Sequence, residues 1–386
     1  MKLGSEKEIL EELDFCLKCL NEEKERDVRF ALYNYIQNLL RVLREIGSNY
    51  TMRKSDIFKD LKMYQKFQKQ EKLYKKMFND NFCFYKDFFA DYLNDILVRT
   101  ESLFYKYIED NEYSLENDEF SEKEFLDIFF GFCNKLGIGY LFDNVVDGKI
   151  LSFDRKITDG NYLGLMIHNP LNGNSHILVD DFSYNIDSMF TLAHEMGHVY
   201  DVSFFDSKLN ISKYNDYMYK SLNVEVLSKL FEKLLLDYLI DNNINKNVVI
   251  DKLIDSFIVE HDYIYSLYVL SLLDDRYIDS DRYLDISKDR LFDLVSKYFE
   301  DKKEVYDTIK NNDFLLIDNA VYAYGEIISL FLEDDVRDCS LSNSFLFNKF
   351  MDERFLEFSY NFMESNGFSP SKYQELYEKR LKLIKK

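Results

Sequence analysis

Residues 190–201 read FTLAHEMGHVYD, and three side chains within them, His194, Glu195 and His198, decide how the rest of the chain is read. On a helix, residues four apart stand one above the other, so His194 and His198 aim two imidazoles at one point. Two nitrogen ligands at that spacing suit zinc, and a Glu directly after the first His reaches a metal-bound water. The chain has only five His, so a chance HExxH has odds on the order of one in a hundred or less. The alternative is a pair of satisfied histidines on an ordinary buried helix.

A chain of 386 residues suits one large or two modest domains. Its 46% apolar content, with 30 Tyr and 34 Phe, can fill a sizeable core. Two Pro and twelve Gly are few for this length and favour long uninterrupted helices. A formal charge of −21 argues against nucleic acid as a partner, and favours cationic peptides where it gathers near a site. Five scattered Cys do not form a secreted disulfide framework. Cys16 and Cys19 make a CxxC inside the amphipathic run EILEELDFCLKCL, which reads as a helix face rather than a redox or metal pair. MKLGSEKEIL has no apolar leader core, and no segment approaches 18 apolar residues, so the expectation is a soluble, cytoplasmic protein without a membrane partner.

Residues 5 to about 130 read as successive amphipathic helices: ILEELDFCLKCL, VRFALYNYIQNLLRVL and FFADYLNDILVRTESLFYKYI, with Gly47-Ser48-Asn49 punctuating the first hairpin. The lysine-rich segment from Arg53 to Lys76 keeps a stripe of Ile57, Leu61, Tyr64 and Tyr74, continued by Phe78, and reads as the solvated face of a helix. Ser121 to Glu124 is a capping box opening EKEFLDIFFGFCNKLG. Between Gly131 and Gly173, where more than half of the glycines fall, KILSFDR, YLGLMIH and SHILVDDF alternate with turn clusters such as NPLNGN. This predicts a small antiparallel β-sheet of about three strands. The last of them, near His176 to Phe182, leads into the HExxH helix, with Asp187 or Ser188 as its N-cap. No Gly or Pro occurs between Gly197 and Gly325, so the remainder is again helical, and Ser369-Pro370 starts the last helix. The fold class expected is mainly α, with the sheet beside the HExxH helix. Residues 1–130 would form an N-terminal helical lobe, and 131–386 a zinc peptidase region within one continuous fold.

A catalytic zinc usually has three protein ligands and an open position. In SLNVEVLSKLFEKLL, residues Glu225, Ser228 and Glu232 share one helix face. Glu225 is the candidate third ligand, and Glu232 can orient a zinc-bound imidazole through its outer nitrogen. Asp201 and Asp206 lie nearer to His198 in sequence but follow at the end of its helix.

The run HILVDDFSYNIDSMFTLAHEMGHVYD, followed by NVEVLSKLFE, resembles the core of the M3 family of zinc metallopeptidases, the thimet-oligopeptidase and oligoendopeptidase F enzymes. In that family a strand leads into a TLAHEMGH-type helix, and an E-x-x-S-x-x-x-E segment follows about two dozen residues later. The matching positions are His194, Glu195, His198 and Glu225, with Ser228 and Glu232 in register, and the resemblance extends to about residue 330. DNAVYAYGEIIS resembles the family's tyrosine-rich segment, whose hydroxyls bind the scissile carbonyl as it becomes an oxyanion, and Tyr322 and Tyr324 fall on its YxY pattern. Phe314 and Ala320 stand where members usually carry a His and a further Tyr.

The resemblance implies a helical fold around a deep substrate cleft, one Zn(2+) per chain, and hydrolysis of oligopeptides by a metal-bound water that Glu195 activates. It also implies pairing of the substrate backbone with the strand that His176 opens. The chain is shorter than typical members ahead of the HExxH helix, which suggests a reduced N-terminal lobe and a more open cleft. Phe314 and Ala320 motivate the alternative, a catalytically weak zinc-binding relative that acts as a peptide-binding or regulatory module. His168 and His261, each beside aromatics, read as structural or as cleft residues.

Overall fold

The structure, a computed structural model, describes residues 6–45, 61–108, 119–146, 150–153, 164–169, 175–180, 182–203, 211–272, 319–337, 339–353 and 360–385. Gly47–Asn49, Ile57, the turn at 170–174, Asp206 and Phe314 lie outside the described residues. The described chain is mainly helical, with one small sheet. In order come α1 (Glu6–Glu22), α2 (Arg26–Glu45), α3 (Leu61–Ile108), α4 (Glu122–Leu136) and α5 (Gly139–Val146). The strands β1 (Ile150–Phe153), β2 (Gly164–His168) and β3 (Ser175–Asp180) follow, then α6 (Ile186–Val202) and α7 (Ile211–Lys220). A 3-10 turn, Asn223–Glu225, leads into α8 (Val226–Asp241) and α9 (Lys246–Ser271). Then come α10 (Asn319–Val336), α11 (Phe345–Glu353), α12 (Tyr360–Ser365) and α13 (Pro370–Leu381). No helix among the described residues is long and apolar enough to cross a membrane.

The chain divides into two units, neither of them continuous in sequence: 1–71, 116–218 and 338–344 in the first, and 72–115, 219–337 and 345–386 in the second. In the first unit α6 packs on the sheet, chiefly on β2. The strands lie in the order β1-β3-β2. Pairing of β2 with β3 is antiparallel, from Gly164 opposite Val179 to His168 opposite Ser175, as the sequence suggests. The other pair differs from that expectation. β1 runs parallel to β3, with Ile150 opposite Ile177, so β3 is flanked on both sides. Its core, Ile177-Leu178-Val179, is buried throughout, the continuous apolar pattern of a strand covered on both faces. Local periodicity identifies strands but does not say which of them pair.

The capping box of α4 forms as expected, with Ser121 and Glu124 bonded reciprocally, and Ser369 caps α13 with Pro370 in its first turn. The α6 cap differs by a few residues. Asn185, not Asp187 or Ser188, is the N-cap, its side chain accepting from the Ser188 N–H at 2.9 Å. Ser188 turns its hydroxyl back to accept from the Ser183 N–H at 3.0 Å, while Asp187 sits in the first turn, where the helix dipole favours an acid. Cys16 is buried on α1, and burial together with the Glu12 carboxylate pushes its thiol up to about 12, which disfavours the reactive thiolate.

In the second unit α10 packs against α8, α9, α13 and the 3-10 turn. Among the apolar residues of this core are Leu227, Leu230, Phe257, Leu267, Ile328, Phe331 and Tyr373. The same core holds a chain of buried charges. Lys233 binds Glu326 and lies 3.6 Å from Glu260, which accepts from the Tyr373 hydroxyl. Arg380 and Arg337 both bind Glu333 at 2.6 Å, and Arg337 reaches Asp237 at 3.1 Å. Ions this deep persist only when each charge is met by partners.

Candidate active site

Helix α6 has no Pro, is capped at Asn185, and buries Met189, Leu192, Ala193 and Met196 against its own unit. With the helix fixed by that stripe, His194 and His198 share a half-buried face. Their Nε2 atoms lie 3.3 Å apart. That separation serves a hydrogen bond between neutral rings, and it also matches the roughly 3.3 Å between two nitrogens on one tetrahedral zinc.

Glu195 points about 100° around the helix from His194 and is buried. Its neighbour is the start of β2. A Cβ on residue 164 would lie 2.6 Å from Glu195 Oε1 and 2.7 Å from Thr191 Cγ2, so the strand approaches this carboxylate because Gly164 has no side chain. Asp201, one turn beyond His198, is buried and accepts from the Tyr217 hydroxyl at 2.6 Å. His168 is buried with Nδ1 3.0 Å from Ser175 Oγ, and the Tyr214 ring lies 5.7 Å from its own. His176 opens the strand expected to receive a substrate backbone, but β3 is the centre of its sheet, and its ladder bonds go to β1 and β2. That expectation is corrected for Ile177 to Asp180, where both edges of β3 are taken by neighbouring strands.

In the second unit, Glu225 ends the 3-10 turn rather than lying on the α8 face, and adopts φ −101°, ψ 0°. This bridge conformation is sparsely populated and frequent at active sites. Ser228 Oγ lies 2.7 Å from Glu225 Oε2 and 2.9 Å from its backbone oxygen, which orients the buried carboxylate. Helix α10 crosses here at Gly325, where a Cβ would meet the Glu225 backbone oxygen at 2.8 Å and its Cβ at 3.0 Å. Glu232 lies 3.1 Å from Lys229 Nζ, which is also 3.1 Å from Glu326.

The two tyrosines of the YxY diverge. Tyr322 is half-buried and stacks on Tyr263 of α9, the rings 5.2 Å apart and 15° from parallel. Tyr324 is only 1% exposed and meets the Phe89 ring edge-on at 6.3 Å. Ala320 is fully buried. His261 stacks on Phe104 at 4.6 Å, and burial lowers it to about 4, so it is neutral near pH 7 and serves packing.

Sequence reading missed Tyr263 and Lys229. Lys229 follows the E-x-x-S positions and resembles any solvated lysine, and Tyr263 is one of thirty tyrosines. The available signal was helical spacing at Lys229, four residues after Glu225 and three before Glu232; Tyr263 carried none.

No family model matches the chain, and no curated protein matches it. Among solved structures it is similar to a crystal structure of a candidate peptidase from Chlamydophila abortus, with 13% identity and a TM-score of 0.48. The alignment covers 93% of this chain and 63% of that one, so the chain spans less than two thirds of that protein's length.

Proposed function

We propose that the chain is a cytoplasmic, zinc-dependent metalloendopeptidase that hydrolyses peptide bonds in oligopeptides, with one zinc held by His194, His198 and Glu225. The observation that carries this reading is the convergence of His194 Nε2 and His198 Nε2 to 3.3 Å on the helix that also bears the buried Glu195. The chemistry of the donor set supports it. Two imidazoles and a carboxylate are a donor set of catalytic zinc, with room for a fourth position.

When bound, zinc supplies Lewis acidity, polarising a carbonyl and bringing the pKa of a water towards neutral. Glu195 takes the proton of the attacking water as general base and passes it to the leaving amine. Gly164 lets the strand close on Glu195 and limits where its carboxylate can move. Ser228 fixes one oxygen of Glu225, and Glu232, itself held by Lys229, is the carboxylate that this reading assigns to orienting an imidazole. Tyr322 and Tyr324 are the hydroxyls that the family resemblance assigns to the oxyanion.

A second reading, a zinc-binding module with weak catalysis, is favoured by the buried methyl of Ala320 and the burial of Tyr324 in the core. Digestion of a mixed peptide library by wild type and Glu195→Gln, with a chelator control and metal analysis, separates the readings. Cleavage by wild type with a loss of roughly 10²–10⁴-fold in Glu195→Gln is expected. Equal cleavage by both proteins sinks the peptidase reading. Stoichiometric zinc without cleavage selects the binding module, and absence of zinc removes both.

A further inference from the structure

We propose that Tyr263 of α9 joins Tyr322 of α10 as a phenolic pair that donates hydrogen bonds to the scissile carbonyl oxygen of the substrate, a proposal that rests on the peptidase reading. Four observations lead there. The Tyr263 and Tyr322 rings are stacked, 5.2 Å apart and 15° from parallel, and both residues are half-buried, so they form one surface contributed by two helices. Lys229 Nζ stands 5.9 Å from one ring centroid and 6.0 Å from the other, serving both rings equally. Burial pushes the Tyr263 phenol upward, Lys229 pulls against it, and the Glu326, Glu232 and Glu225 carboxylates, in that order, add to the upward push. The phenol therefore keeps its proton near pH 7 and is a donor within the electrostatic reach of Glu225. Finally, Ala320 has no hydroxyl and Tyr324 is turned into the core against Phe89, so the segment's own pattern supplies one half-buried phenol where two are wanted.

As water adds to the carbonyl carbon, the carbon–oxygen π pair moves onto the oxygen, and Glu195 takes the water's proton. The phenols keep theirs and bond more strongly to the oxygen as its charge grows. The Lys229 ammonium, facing both rings, makes the phenols better donors without entering the proton balance.

Two single variants, Tyr263→Phe and Tyr322→Phe, test this with a quenched-fluorescence peptide, metal analysis, thermal unfolding, and calorimetric binding of a phosphinic peptide that mimics the tetrahedral intermediate. Phe retains the stacked ring, so zinc content and unfolding midpoint should hold. Tyr263→Phe should lower kcat on the order of a hundredfold with little change in KM, as expected for a donor engaged in the transition state. It should also weaken the phosphinic peptide about tenfold or more while leaving a product peptide unaffected. Tyr322→Phe should match it. If wild type cleaves and Tyr263→Phe equals it in kcat and in phosphinic affinity, the Tyr263 proposal is overturned and the peptidase reading stands. If wild type neither cleaves nor binds the phosphinic peptide, both fall.

Discussion

The two glutamates central to the proposed chemistry are held by opposite means. Glu195 lies on a regular, capped helix backed by a sheet, and what closes on it is the bare backbone of Gly164. Glu225 lies on an irregular turn where Ser228 fixes its carboxylate and Gly325 brings a helix onto its main chain. Beyond it runs a core of buried charges, from Lys229 and Lys233 to Glu333 and Arg380. One acid is positioned by shape and keeps some side-chain freedom, as a group that moves protons requires. The other is positioned by hydrogen bonding and backbone contact, as suits a group that must stay still.

Substituting the two glycines should separate these modes. Gly325→Ala drives a methyl into Glu225 main-chain atoms at 2.8 and 3.0 Å, which cannot turn aside. A stability loss at the upper end of the 1–3 kcal/mol typical of overpacking, about 3 kcal/mol, is expected, with zinc content falling alongside, measured by denaturant unfolding and metal analysis. Retention of full zinc and stability would show that the turn is softer than its contacts imply. Gly164→Ala meets side-chain atoms of Glu195 and Thr191 first, rather than backbone. The Glu195 carboxylate can swing aside but the β-branched Thr191 is stiff at χ1, so the protein should fold with about 2 kcal/mol lost, while displacement of the base costs roughly 10²-fold in kcat. Steady-state kinetics beside a melting curve reads both effects, and unchanged kcat would mean that Glu195 does not need that wall.

The charged core predicts a smaller effect of pH. Burial and the neighbouring Glu333 raise Asp237 to about 8, against the pull of Arg380 and Arg337. An acid protonated in the folded state and ionised in the unfolded chain contributes stability that is complete below its ordinary carboxylate pKa and is lost as pH rises through about 8. His261, lowered by burial to about 4, acts in the opposite direction, costing stability only as pH falls below about 6.5. Between those limits, from about pH 6.5 to 8, Asp237 should dominate, giving a fall on the order of 1 kcal/mol in wild type. Asp237→Asn should flatten that interval in unfolding measured at both ends, and the same slope in both proteins would assign it elsewhere.

Much of this was legible in the sequence because it is local. The HExxH spacing, the capping box at Ser121 and the Ser369-Pro370 start each depend on residues within one turn, and three strands were readable from alternation and turn residues. Features that depend on distant partners were not. Nothing near Ile150 says that it lies parallel to Ile177. Asn185 takes the cap because Ser188 bonds back to Ser183. Glu225 reads as part of a helix face until α10 and Gly325 are seen against its backbone. Lys229 and Lys233 look like solvated residues of an amphipathic helix, and their carboxylate partner Glu326 is about ninety residues away. Tyr263 is unremarkable until Tyr322 is stacked on it.

The pairing of α13 with that core bears on how the chain is made. Tyr373 bonds to Glu260 and Arg380 to Glu333, and both acids lie in helices completed earlier in the sequence. At roughly 5–20 residues per second, a ribosome releases residues 319–337 several seconds before residues 370–381 emerge. Through that interval Glu260 and Glu333 lack a phenol and a guanidinium, and burying them uncompensated is unfavourable. The second unit should therefore stay open during synthesis and close only once α13 arrives. That order of events would keep the turn bearing Glu225 from taking its final form, and so from serving the proposed zinc site, until α13 has emerged.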